Sequence, residues 1–295
     1  MVDYDEFGML ADNASEVGLA YTPPALRREV VTGPSGNALS ALVWGEGAAE
    51  IVLLHGGAQN AHTWDTVALA LDRPLVALDL PGHGHSAWRP ERDYRPQAMA
   101  ADVASAVEQL APEATTLVGM SLGGLTGLAA LAAEPALADR LVLVDITPGV
   151  NQEKAAAIVN FVAGPTEFES FDALLARTIE HNPTRSESSL RRGVLHNARE
   201  LDDGRWVWRY DRLGDRLEAL DPRFGDLWEA VSALEVPLLL ARGGDSPVVD
   251  DDDVAELLRR QPAAEVVVVE GAGHSIQGDQ PLALAELVAR FHTTT

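Results

Sequence analysis

A serine becomes a nucleophile when the backbone lifts its hydroxyl clear of its neighbours and a base stands within reach. In Leu117-Val118-Gly119-Met120-Ser121-Leu122-Gly123-Gly124, Gly-x-Ser-x-Gly falls where an apolar run ends and a helical stretch begins. A serine on so tight a turn takes strained backbone angles, and the flanking glycines keep strand and helix from colliding with it. The base is His274, in Glu270-Gly271-Ala272-Gly273-His274, a glycine-flanked loop after the last apolar run. His62, His181, His196 and His292 fall in helical or irregular stretches and read as packing or surface residues. An acid must orient the imidazole, and two aspartates between Ser121 and His274 stand at strand ends, Asp145 and Asp245. Hydrogen-bond donors for a developing oxyanion come from the amide of Gly57, in Leu54-His55-Gly56-Gly57, and that of Leu122, at a helix N-terminus. Together these residues describe acyl transfer through a serine.

The elements that would hold such groups are legible as short runs of Val, Ile and Leu separated by helical stretches, the pattern of a mostly parallel sheet covered on both faces. Strands are expected at about 50–54, 74–80, 115–119, 140–146, 237–241 and 265–270, and an antiparallel hairpin at 28–32 and 39–44 opens the sheet. Helices are expected at about 61–71, 96–111, 122–133, 250–260 and 280–292. Between Thr147 and Ser232 the strand signal stops and helical, charged and aromatic residues take over. The expected organisation is a core of 1–147 and 233–295 with a helical cap, 148–232, inserted after the sixth strand. Residues before about 25 read as a loose leader.

At 295 residues, the chain can bury a large core without disulfides. It contains no cysteine, so thiolate chemistry and Cys-ligated zinc are excluded. With 22 basic and 45 acidic residues the formal charge is −23, which repels nucleic acid and anionic membranes and leaves a small molecule as the expected partner. No Gly-x-x-x-x-Gly-Lys is present, and Asp250 to Asp253 suit a helix start better than a calcium loop, so neither cofactor nor metal is expected. An acidic first segment without an apolar core, and no run long enough to span a membrane, make a cytoplasmic location the expectation.

His55-Gly56-Gly57, Asp79-Leu80-Pro81-Gly82-His83-Gly84-His85-Ser86, Gly119 to Gly124 and Gly271-Ala272-Gly273-His274 together resemble the α/β-hydrolase superfamily over about residues 28–293. The resemblance implies an eight-stranded α/β-hydrolase fold and reads Asp79 to Ser86 as a structural turn. It also bears on the acid. Where the acid follows the penultimate strand, such loops commonly read Gly-x-x-Asp-x-x-Val, which puts Ser246 in that place and Asp245 one residue early. Asp145 is therefore preferred, with Asp245 the alternative. The implied activity is hydrolysis of a carboxylic ester or related acyl compound through an acyl-enzyme on Ser121. Hydrolysis of a carbon–carbon bond, or a non-catalytic ligand receptor, are the rival readings. Members that open epoxides or remove halide carry aspartate at the elbow, where this chain has serine. By position, Trp64 and Met120 are substrate-contact candidates, and Trp206 and Trp208 either line the cleft or pack the cap.

Overall fold

The apolar runs form one sheet whose central strands are buried on both faces, and their alternate residues feed two separate cores. The computed structural model describes residues 4–151, 153–182, 185–211, 224 and 226–294. The sheet's strands are β1 (Leu26–Thr32), β2 (Ala38–Trp44), β3 (Ile51–Leu54), β4 (Leu75–Leu78), β5 (Thr116–Met120), β6 (Arg140–Val144), and then β10 (Leu238–Gly243) and β11 (Glu265–Val269). Their spatial order is β1-β2-β4-β3-β5-β6-β10-β11. β2 runs antiparallel to both β1 and β4, and all remaining neighbours are parallel.

On one face Leu39, Val52, Leu54, Leu117, Leu143 and Leu240 pack under the helices α3 (Pro96–Leu110), α4 (Leu122–Ala133), α8 (Leu227–Ala233) and α9 (Asp251–Arg260). On the other, Leu42, Ile51, Leu53, Val118, Val142 and Leu239 meet α1 (Leu10–Glu16), α2 (Asp65–Leu71) and α11 (Pro281–Thr293). Residues one apart on each strand thus serve opposite layers. Any slip of register by one residue would exchange them.

Between β6 and α8 lie α5 (Ala156–Val162), β7 (Glu167–Phe168), α6 (Phe171–His181), α7 (Glu187–Asn197), β8 (Ala198–Glu200) and β9 (Trp206–Trp208). Two features differ from the expected cap. The segment carries a small antiparallel sheet, β7-β9-β8, as well as helices. By Leu227 the chain has rejoined the core, since Leu227 and Val231 are buried with the α4 side chains. Residues 212–223 and 225 of the expected cap lie outside the described residues. An aromatic core of its own, Phe168, Phe171, Trp206, Trp208 and Tyr210 with Leu174 and Val194, holds this upper layer together.

The expected loose leader is instead a fastened segment. Leu10 and Ala14 are buried, and α1 packs on α2. Arg28 donates to Glu6 and Asp79 on the core side, while the Tyr4 hydroxyl meets His196 Nδ1 at 3.0 Å and Arg192 is paired with Glu16 and Asn13 on the α7 side. Weak helix formers such as Asp12, Asn13 and Ser15 hide this element in the sequence, and tertiary contacts stabilise it.

Candidate active site

Ser121 sits between β5 and α4 with φ 50° and ψ −119°, a conformation that side chains rarely adopt. Its amide donates to Val144 O at 3.2 Å and its carbonyl accepts from Leu125 N at 3.1 Å, so the strained turn is fastened on both sides. The flanking glycines are sterically required. A Cβ on Gly119 would stand 2.5 Å from Gly124 Cα, and one on Gly123 would stand 2.4 Å from Leu54 O. The backbone of the β3 loop therefore approaches the elbow directly.

Asp145 ends β6, also at positive φ (50°), and is wholly buried. Its carboxylate accepts three hydrogen bonds: from Gly243 N at 2.8 Å, from the Ser246 hydroxyl at 2.5 Å and from His274 Nδ1 at 2.8 Å. Because a carboxylate only accepts, the shared proton belongs to Nδ1, and Nε2 is left with a free lone pair. Gly243 is needed for this meeting, since a Cβ there would lie 2.4 Å from Gly273 O. Asp245, the alternative acid, is exposed, and its amide donates to Ala272 O at 2.9 Å. The side of the loop that faces Asp145 is occupied by Ser246, which is why the one-residue offset directs the Asp245 carboxylate elsewhere.

The β3 loop, His55 to Asn60, lies beside the elbow: a Cβ on Gly56 would be 2.4 Å from Met120 Sδ and 3.3 Å from Ser121 Cβ, and one on Gly57 3.8 Å from Leu122 Cδ2. Among the described residues neither the Gly57 nor the Leu122 amide donates to a protein group. His55 fixes the loop from beneath, with Nδ1 donating to Gly56 O and Nε2 accepting from Leu80 N. Burial pushes its pKa down to about 3, so it stays neutral and structural. Asp79 accepts from Ala61 N, His85 N and Arg28, and Ser86 donates to Asp79 O, which makes Asp79 to Ser86 a brace for the same loop.

Ser121 and His274 line one cavity of about 850 Å³ between the core and the upper layer. Met120 and Trp208 line it too. Trp64 does not: it is fully buried between sheet and helices, because its turn (Ala61–Trp64) directs the indole into the core. Trp206 is likewise absent from the lining and packs edge-on against Phe171 at 5.1 Å. Four residues at this cavity carried no sequence signal of their own. Gln59 accepts from Gly56 N and reaches the Ser275 hydroxyl, tying the β3 loop to the His274 loop, and Gln277 donates to Gln59. From α7, Asn197 donates to Ala58 O at 2.7 Å and so holds a residue at φ 60°. Arg185 completes the set.

Among the described residues one group could offer donor atoms to a metal: His62, Asp65 and His196, whose ligand atoms lie within 4.8 Å of one another. The two imidazoles stack at 3.7 Å with their planes 9° apart, so their in-plane lone pairs run side by side instead of converging. Donation between His62 Nδ1 and Asp65 already uses one of those positions.

An eight-stranded, mostly parallel sheet with a serine on the strand-to-helix bend, and a histidine from the loop after the last strand lining the same cavity, defines a class. The chain belongs to the α/β-hydrolase family, whose sequence model matches residues 51–287. Its kinship lies among esterase-type hydrolases. It is 47% identical to esterase Rv0045c of Mycobacterium tuberculosis over 294 residues, covering 96% of this chain and 94% of that one. A solved structure of that M. tuberculosis esterase superposes with a TM-score of 0.88 at 46% identity, covering 99% of this chain and all of the other. The mouse sn-1-specific diacylglycerol lipase ABHD11 is 29% identical across 82% of this chain and 80% of its own length.

Proposed function

We propose that this esterase-type hydrolase cleaves a carboxylic ester through an acyl-enzyme on Ser121. The observation that carries the proposal is the His274 Nδ1 to Asp145 Oδ2 hydrogen bond of 2.8 Å, in a cavity that Ser121 also lines. With Nδ1–H held by Asp145, His274 Nε2 takes the proton from the Ser121 hydroxyl as its oxygen attacks the ester carbonyl. The carbonyl oxygen becomes negative, and the Gly57 and Leu122 amides supply hydrogen bonds to it. His274 then passes its proton to the departing alcohol. Water, activated by the same imidazole, attacks the acyl-enzyme and releases the acid and free Ser121. The net charge of −23 supports a small-molecule substrate over nucleic acid.

A panel of p-nitrophenyl esters of graded acyl length, with fluorophosphonate labelling, tests the assignment. The wild type should turn over one or more of the esters and label at Ser121. Ser121→Ala should lose about 10⁴-fold or more in kcat and take no label. Unchanged turnover in that variant would end the proposal.

A further inference from the structure

Arg185 stands in the wall of the Ser121 cavity with its charge uncompensated by any close carboxylate. Its Nη2 donates to the Ser189 hydroxyl at 2.7 Å, and its Nε is buried without a hydrogen-bond partner. No carboxylate lies within ion-pair distance of it among the described residues. Asp279 and Glu16 favour its charge through space without forming an ion pair with it. Glu16 bonds to Ser186 and Arg192, and Asp279 accepts from Gly273 N at 2.9 Å. A half-buried guanidinium whose Nε lacks a hydrogen-bond partner is unfavourable unless a ligand supplies an acceptor and counter-charge. Its planar fork of N–H donors matches the two oxygens of a carboxylate.

The location of Arg185 specifies which part of the substrate bears that carboxylate. The guanidinium lies against Gly278, where an added Cβ would stand 2.9 Å from Cζ and Nη1. Gly278 belongs to α10 (Ile276–Asp279), a short helix that begins two residues beyond His274. In the proposed reaction the departing alcohol must lie on the His274 side to receive its proton. We infer that Arg185 binds a carboxylate on the alcohol portion of the ester, so that the substrate is an acyl ester of a short hydroxy acid. This inference rests on the Ser121 ester-hydrolase reading and adds its substrate class. Hydrolysis of such an ester takes up one water and releases the acyl group and the hydroxy acid as two carboxylic acids.

Three esters of similar length separate the possibilities: 3-(butyryloxy)propanoate, with the carboxylate on the alcohol side; monopropyl succinate, with it on the acyl side; and neutral butyl butyrate. The wild type should favour the first over the neutral ester by about tenfold or more in kcat/KM. Arg185→Met should reduce that preference by about 10- to 100-fold, chiefly through KM, and Arg185→Lys should restore part of it. 3-Hydroxypropanoate should compete with a neutral aryl ester in the wild type and compete less well in Arg185→Met, a readout independent of its own turnover. A preference for monopropyl succinate alone, or an equal loss on all three esters in Arg185→Met, would overturn the subsite while leaving the ester-hydrolase reading intact. Turnover of no ester at all would remove both.

Discussion

Asp145 accepts hydrogen bonds from Gly243, Ser246 and His274, and its side chain is wholly buried. Replacing it by Asn would put an amide where His274 needs an acceptor and favour the wrong imidazole tautomer. Asp145→Asn should therefore lose about 10³- to 10⁴-fold in kcat on an aryl ester, whereas Asp245→Asn should remain within a few-fold of wild type. A large loss confined to Asp245→Asn would reverse the assignment. At this scale the sequence displayed the chemistry and concealed its support. Ser121 and His274 announce themselves through their glycine neighbours, and Ser246 stands out only as a residue in a place where an aspartate is usual. Its role depends on a side-chain direction that no spacing encodes. Gln59 and Asn197 were invisible for the same reason, as their partners lie 216 and 139 positions away. Trp64 misled because nearness along the chain to the β3 loop says nothing about which way a 3-10 turn points its indole.

Among the elements, the glycines of the elbow and the glycine of α7 make a controlled comparison. Gly119→Ala forces a methyl to within 2.5 Å of the Gly124 backbone, which cannot yield without moving Ser121. It should destabilise the protein by about 1–3 kcal/mol and abolish most activity. Gly193 lies inside α7, where an added Cβ meets nothing within 4 Å. Gly193→Ala should stabilise the protein by about 0.5–1 kcal/mol. Denaturant titration of both variants checks the opposite signs. The central strands were readable because full burial writes itself as unbroken apolar runs, and α2, α3, α4, α9 and α11 through their apolar periodicity, whereas α1 and α8 were not. β7 and β8 were not, since two or three residues are too few for a period of two to show, whereas the alternation of Trp206, Trp208 and Tyr210 marks β9 as extended. Their pairing depends on the aromatic packing of Trp206 with Phe171 and of Trp208 with Phe168.

At the scale of the molecule, the first described residues join both layers, and their charges give the joint a pH dependence. Burial opposes a charged His62, but the Asp65 and Glu6 carboxylates outweigh it and hold the ring's pKa up at about 9. Burial also opposes a charged Glu6, yet its bonds to His62 and Arg28 hold the carboxyl down at about 2. The raised histidine stabilises fully below its ordinary value of 6.5, and that contribution is lost as pH rises through about 9. The lowered carboxyl stabilises fully above its ordinary 4.5, and its contribution is lost as pH falls through about 2. The Glu6 and His62 contributions are thus both at full strength between about pH 4.5 and 6.5. Urea midpoints should decline from pH 6.5 towards 9, and His62→Gln should flatten that decline. An equally steep decline in the variant would place its origin elsewhere.

The same joint limits how the protein can be re-engineered by exchange of parts. Tyr4, Asn13 and Glu16 reach α7, while Glu6 and Leu10 are bound to the core, so the upper layer's partners are split between two distant stretches of chain. A chimera that grafted only the stretch between β6 and α8 onto a sibling scaffold would arrive with Arg192 and His196 facing a foreign or missing neighbour. The transplantable module is discontinuous, and it includes the opening helix.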